Sequence, residues 1–483
     1  VNPLPLLVAL PLIGAVLAFM LPGRWRASFS LGLFVPVALI SILSLIAILV
    51  QGTQTHAMGG WLAPLGIGLR ADGFGACMVV LTPLITIPCA VHSLSSLRSQ
   101  AAAEGFWPLL WFMWAALNSI WLSADLFNLY VGIELLGLTA VGLVALAGSA
   151  QSLAAAMRYL LVALLGSLLY LLGVALIYAS LGSLALADLA AHSAGMPTER
   201  IAMVLMTFGL LLKTALFPLH GWLPPAHGGA LTPVSALLSA LVIKASLFIL
   251  VRLWLAMGLD TMSVSLAWTL GLMGAAAVFW GGFMALRQTR IKPLVAYSTV
   301  AQIGALFLFF PLSTGTPIAA AALAWDGMIL LLVAHACAKA AMFLAAGNLV
   351  FAIGGEQLAD LNGICRFRPF SLLSFGIAGV SLSGLPPSGG FVAKWLLLQS
   401  ALASGQWAWL PVLIGGGLLS AAYVVKVLAN ALVEGPVCDR FEAPPLSLEL
   451  SAFFLGSISL LLGLVAHAPL AWIRIGGPFT GAG

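Results

Sequence analysis

The sequence predicts an all-α polytopic membrane protein of about fourteen transmembrane helices, and three observations carry that reading. The 483 residues are 62% hydrophobic and only 7% charged, and the mean hydropathy is +1.14, far above a soluble domain. The apolar content falls into stretches of about 20 residues, the length that crosses a bilayer. Between them lie short loops that hold most of the Arg, Pro and Gly.

Taken in order, the apolar runs predict helices near 3–21, 30–50, 74–96, 106–123, 125–147, 157–180, 201–217, 231–252, 263–286, 292–310, 317–351, 370–403, 407–433 and 447–468. The first run lacks a basic start and a small-residue cleavage site, so it reads as a retained helix rather than a signal peptide. Segments seven and twelve are irregular. Segment seven runs into Pro218, Pro224 and Pro225, and segment twelve contains Gly384-Leu385-Pro386-Pro387-Ser388-Gly389-Gly390. Proline removes a helical donor and clashes with the preceding turn, so both helices are expected to break. Broken helices are where transporters place ion sites.

Lys213 and Lys244 stand beside the first break and Lys394 and Lys426 beside the second, at almost the same separation. A five-helix unit used twice explains this, the second copy inverted because five is odd. The expected organisation is residues 1–105 (segments one to three), 106–252 (first repeat, four to eight), 263–433 (second repeat, nine to thirteen) and 434–483 (segment fourteen and a short tail).

Loops after odd-numbered segments carry Arg24, Arg26, Arg98, Arg158, Arg287, Arg290, Lys292, Arg366, Arg368 and Arg440; those after even-numbered segments carry Arg70, Arg200 and Arg252. The positive-inside rule makes the first group cytoplasmic and puts both termini outside. The net charge of +5 is spread singly over loops, which argues against a nucleic-acid partner. Cys77, Cys89, Cys337, Cys365 and Cys438 show no metal spacing, and neither a metal nor a cofactor is expected. No nucleotide-binding glycine pattern or catalytic triad is visible either.

Five of the six lysines, Lys213, Lys244, Lys339, Lys394 and Lys426, fall within apolar segments. Each costs roughly 2.5–3.5 kcal/mol at a helix centre unless it snorkels, so a sequence built for structure alone would not keep them. A low dielectric disfavours a charged ammonium, which suits a lysine that must both take and release a proton. Glu134 reads as the most deeply placed carboxylate. If Lys213 lies ~8 Å away at an effective dielectric near 20, their attraction is ~2 kcal/mol, enough for a switch. His220, His227 and His335 are candidate shuttles, with His335 one turn before Lys339. Gln302 can hydrate the gap between lysines. Asp125, at the start of its helix, and Asp326, of unknown depth, are further possible members, as is Lys426. Na+ transport through this chain is disfavoured, because the interior offers many amines and few carboxylates.

The runs Lys213-Thr-Ala-Leu-Phe-Pro-Leu-His-Gly-Trp-Leu-Pro-Pro-Ala-His, Ala296-Tyr-Ser-Thr-Val-Ala-Gln-Ile-Gly, His335-Ala-Cys-Ala-Lys-Ala-Ala-Met-Phe-Leu-Ala-Ala-Gly and Gly384-Leu-Pro-Pro-Ser-Gly-Gly-Phe-Val-Ala-Lys resemble the antiporter-like subunits shared by respiratory complex I, the multisubunit Mrp-type Na+/H+ antiporters and membrane-bound hydrogenases. The resemblance implies fourteen helices in two inverted repeats, and a proton relay. In that relay Glu134 and Lys213 would be the gating pair, Lys244 the connector, Lys339 the centre and Lys394 the end. The chain looks most like the D-type Mrp subunit. A complex I-like or hydrogenase subunit is the alternative, with redox chemistry on other chains, and a membrane partner of a zinc protein in inorganic-carbon uptake is a third. Expected partners are other membrane subunits, the bilayer of a bacterial cytoplasmic membrane and H+, with Na+, if carried at all, passing through a partner.

Overall fold

In a computed structural model, residues 3–97, 99–192, 196–257, 263–433 and 443–479 are described. Arg98, Arg440 and Cys438 lie outside them. Each of the fourteen expected segments contains helix. Among the described residues ten helical stretches are long and apolar enough to cross a membrane, and Leu4–Met20, Pro369–Ser383 and Leu446–Leu461 are shorter apolar helices. Length and apolarity alone thus give ten crossings where fourteen are expected.

The chain begins with α1 (Leu4–Met20) and α2 (Gly23–Gln51). Two four-residue strands follow, β1 (Gln54–Ala57) and β2 (Gly68–Ala71), paired antiparallel with Gln54 opposite Ala71. This hairpin departs from the all-α expectation; strands this short show no alternation in a sequence window suited to membrane helices. Then come α3 (Gly73–Ser96), α4 (Gln100–Leu122), α5 (Leu126–Ala145), α6 (Ala150–Leu181) and a short α7 (Leu186–His192). Side-chain caps set several starts: Asp72 accepts the Gly75 N–H, Asp125 the Asn128 N–H and Ser149 the Ser152 N–H, each satisfying a donor the helix leaves free.

Segment seven is α8 (Pro197–Thr214) and α9 (Leu223–Gly229), separated by Ala215 to Trp222. Segment eight is α10 (Thr232–Leu237), a π-helical stretch Leu238–Val242 and α11 (Ile243–Ala256). The second half comprises α12 (Val264–Arg287), α13 (Ile291–Leu306), α14 (Phe309–Ser313) and α15 (Ile318–Ile353). Segment twelve breaks as expected into α16 (Pro369–Ser383) and α17 (Gly389–Ala403), followed by α18 (Leu410–Leu432) and α19 (Leu446–Leu461). A last helix, α20 (His467–Ile473), lies in the expected tail.

Helices α11, α13 and α15 are buried on nearly every side, whereas α2, α6 and α18 turn Leu, Ile and Val outward, as an apolar solvent permits. Not every arginine assigned to a loop lies in one. Arg158 lies in α6, and Arg252 sits near the end of α11, where both of its terminal nitrogens donate to Asp72 at 2.6 Å. Glu134 is not the most buried carboxylate: it is half-buried, while Asp72, Asp326 and Glu199 are each 1% exposed. A helical period locates a residue along a helix but not whether its neighbours cover it.

Candidate ion-translocation site

Four lysines on four helical elements form a line through the bundle. Lys213 ends α8 and packs across α6, where Gly166 and Gly209 bring the two backbones together; a Cβ on Gly209 would stand 2.4 Å from the Gly166 carbonyl oxygen. Gly137, one turn beyond Glu134 on α5, faces the ammonium, since a Cβ there would lie in ordinary contact with Lys213 Nζ at 3.5 Å. Glu134 accepts a short hydrogen bond from Ser167 of α6 and acts on Lys213 electrostatically. Among the described residues the two make no direct ion pair, so the acid and the base are separate stations.

Beside Lys213 is a cavity of about 20 Å³ lined also by Tyr159, Val242 and Ser246, enough for one water. Thr214 donates to Ser246 at 3.0 Å, so α8 is tied to α11 two residues from Lys244. Lys244 is fully buried and donates to the Ser239 carbonyl at 2.8 Å. That carbonyl lies in the π-helical stretch, where the ordinary helical ladder is interrupted.

The Ser239 hydroxyl meets Thr299 at 3.0 Å. Its neighbour Ser298 accepts a short hydrogen bond from Lys339, which also donates to the Val295 carbonyl at 3.0 Å. One turn further along α13, Gln302 donates to the Leu382 carbonyl and to Ser420, both at 3.0 Å. The same Leu382 carbonyl accepts from Lys394 at 2.8 Å. A second cavity, about 10 Å³, borders Gln302 and Lys394. The buried polar groups thus fall into three hydrogen-bonded sets: Thr214 with Ser246 beside Lys213; Lys244, Ser239, Thr299, Ser298 and Lys339, joined through the Ser239 and Val295 carbonyls; and Gln302 with Lys394 at the Leu382 carbonyl.

His227 and His335 flank the centre of this line. Both are buried, and neither ring nitrogen of either has a hydrogen-bond partner. Lys244 and Lys339 act electrostatically on both rings, and Lys394 also acts on His335. Buried polar atoms left without protein partners call for water.

Other sequence candidates stand apart. His220 is half-buried and stacked on Phe217, which packs on the exposed Trp280. Lys426 is half-buried and donates to the Leu286 and Gln288 carbonyls at 2.7 Å, closing the end of α12. Asp326 pairs with Arg474, which follows α20, at 2.6 Å. Asp125 caps α5. Pro218, Pro224, Pro225, Pro386 and Pro387 all sit in or beside the breaks.

The sequence reading missed Ser239, Ser246, Ser298 and Thr299, because hydroxyl residues are common in helices and carry no charge signal. It also placed Lys292 in a loop. Lys292 starts α13, is 6% exposed and donates to the Ala230 carbonyl; its adjacent Pro293 and Arg290 disguised it as loop sequence.

A bundle with two broken helices, joined by a line of buried lysines, defines a class: membrane proteins built to carry charge. The model of the membrane family described as NADH:quinone oxidoreductase/Mrp antiporter matches residues 123–420, and the chain belongs to that family. It is 34% identical over 443 residues to the N-type subunit of the NADH-quinone oxidoreductase of Desulforudis audaxviator, covering 89% of this chain and 86% of the relative. It is 28% identical over 481 residues to the D-type subunit of the Na(+)/H(+) antiporter of Bacillus subtilis, covering 95% and 93%. Among solved structures, a chain of the Mrp complex from Dietzia sp. superposes with a TM-score of 0.87 at 26% identity, covering 97% of this chain and 95% of that one. A chain of an archaeal membrane-bound sulfane sulfur reductase superposes at 0.91 with 24% identity, covering 99% and 97%, and so shares the fold.

Proposed function

We propose that the chain is a proton-translocating subunit of a multisubunit cation/proton antiporter, in which H+ moves along Glu134, Lys213, Lys244, Lys339 and Lys394. The carrying observation is the series of buried lysines from Lys213 to Lys394, each beside hydroxyl, amide or carbonyl groups, with two buried histidines without hydrogen-bond partners beside its centre. A buried lysine can hold a proton or lose it, but neighbouring ammoniums repel each other, so a proton arriving at Lys213 disfavours one on Lys244 and passes the disturbance on. Glu134 starts the sequence, because its charge steadies the Lys213 ammonium. Moving one charge across the membrane exchanges about 2.3 kcal/mol per 100 mV, comparable with one such pair interaction.

The ends of the bundle that carry Arg24 and Arg26 at the start of α2, Arg287 at the end of α12, and Arg290, Arg366 and Arg368 face the cytoplasm of a bacterium in this reading, and both termini face outward. Any Na+ crosses through or beside a partner protein. A second reading, the membrane arm of a complex I-like redox assembly, is favoured by the higher identity to the oxidoreductase relative, 34% against 28% for the antiporter relative. In both readings the protein carries the proton and leaves other chemistry to its partners.

The test purifies the assembly in mild detergent, identifies co-purifying chains and measures proton uptake in vesicles. Lys213→Ala and Glu134→Gln are expected to assemble and to lose uptake by about 100-fold or more, the scale of losing a positioned proton-transfer group. Uptake that persists in both variants rejects the relay. Co-purifying redox proteins decide for the second reading.

A further inference from the structure

The relay as described begins at Glu134. Glu134 is half-buried on α5, and its hydrogen-bond partner Ser167 lies on α6. One turn beyond Ser167 on the same helix is Tyr170, fully buried, whose hydroxyl donates to the Leu126 carbonyl at 3.3 Å. The next residue back along the chain is Asp125, whose carboxylate acts electrostatically on Tyr170. Asp125 precedes Glu134 by nine residues, about 13 Å along a helix, and the Ser167 and Tyr170 side chains occupy that interval on the facing helix.

The two residues before Asp125 in the chain, Ser123 and Ala124, line a cavity of about 230 Å³ at the hairpin end of the bundle. Ser123, Ala124 and Leu186 form its near wall. Asp125 bridges to Ala185 in the backbone, and the Ser123 hydroxyl donates to the Asp125 carbonyl at 2.9 Å. On the far wall, Arg252 is already held by Asp72 through two 2.6 Å hydrogen bonds, and Arg70 approaches the same carboxylate at 3.6 Å. This space is an order of magnitude larger than the cavities inside the relay and holds several waters.

We propose that Asp125, Tyr170 and Ser167 join Glu134 to this cavity and that it is the proton mouth of the chain on the hairpin side. The inference rests on the relay reading above. Transfer is a displacement with no net chemistry: the Tyr170 oxygen gains a proton from the Ser167 side, through water, as its own passes toward Asp125, or the reverse, and Asp125 exchanges with water in the cavity. Tyr170 and Asp125 are relay members here, and Ser167 positions Glu134.

Two substitutions isolate the chemistry from the packing. Tyr170→Phe removes only the hydroxyl, and Asp125→Asn keeps a good helix cap while removing the charge. Both are expected to assemble with unchanged thermal stability and to lower vesicle proton uptake at least 10-fold. Ala124→Cys, treated with a bulky membrane-impermeant thiol reagent, is expected to lose uptake when the reagent is added on the hairpin side only, with the parent chain and its own five cysteines as control. Parent-like uptake in Tyr170→Phe and Asp125→Asn, or complete labelling of Ala124→Cys without inhibition, overturns the mouth. If Glu134→Gln loses uptake while those two do not, the mouth alone fails; if Glu134→Gln also transports, the relay itself fails.

Discussion

The two broken helices reach the same chemical end by opposite routes. At the first break, α8 ends in a left-handed residue, Ala215 at φ 56°, and Lys213 stands two positions before it. At the second, α16 ends in a left-handed Gly384 at φ 78°, and the residue two positions before it is Leu382. The lysine there comes from the far side of the break: Lys394, on α17, sends its ammonium back to the Leu382 carbonyl at 2.8 Å. The carboxylates differ too. Glu134 acts on Lys213, whereas burial and the Leu382 carbonyl dominate around Lys394. The first site thus sets its lysine beside a carboxylate, the second beside a backbone carbonyl.

This comparison is broken most severely by Lys394→Leu, which is expected to lose proton uptake by about 100-fold. Adding Leu382→Lys to it moves the lysine to the position that Lys213 occupies at the first break. The double variant is expected to recover part of the uptake in vesicles, because the ammonium returns to the same break. No recovery would show that the side of approach matters as much as the place.

A smaller effect separates the caps. Gly384→Ala meets a positive φ and sets a Cβ 2.7 Å from Lys394 Cδ, so thermal unfolding should show a loss of about 1–3 kcal/mol together with impaired uptake. Ala215→Gly relieves a left-handed alanine and is expected to raise stability by up to about 1 kcal/mol. Equal effects at both positions would deny that the breaks differ.

The smallest effect lies outside both breaks and serves as their control. Burial raises the Asp72 carboxyl, but Arg252, the Gly75 N–H and Arg70 more than reverse this and hold it below its ordinary value. A depressed carboxyl contributes stability that is present above about pH 4 and lost as pH falls further. Asp72→Asn is expected to flatten that acid limb of a melting curve while leaving the difference between the two breaks unchanged.

Much of this was legible in the sequence because a bilayer imposes simple demands. Each of the fourteen apolar runs contains helix, though among the described residues only ten stretches have the length and apolarity of a crossing, and prolines located both breaks. Buried lysines were visible because a charge in an apolar run has no other ready explanation. The lysine spacing, in contrast, suggested a symmetry that the breaks do not keep: Lys244 is fully buried, while its expected counterpart Lys426 closes the end of α12. Spacing records position along the chain, and a lysine side chain is long enough to reach a site from either direction.

The sequence by itself determined the membrane class, the positions of the helices, their two interruptions and the charged residues within them, since each follows from local composition and from the cost of an unsatisfied backbone in lipid. The tertiary structure alone decided which charges meet. It tied Lys339 to Ser298, brought Gln302 and Lys394 to one carbonyl, drew Asp326 away to Arg474 and left His227 and His335 without protein partners. Those pairings join residues far apart in the chain through helix packing, and packing depends on the whole set of facing surfaces rather than on any one segment.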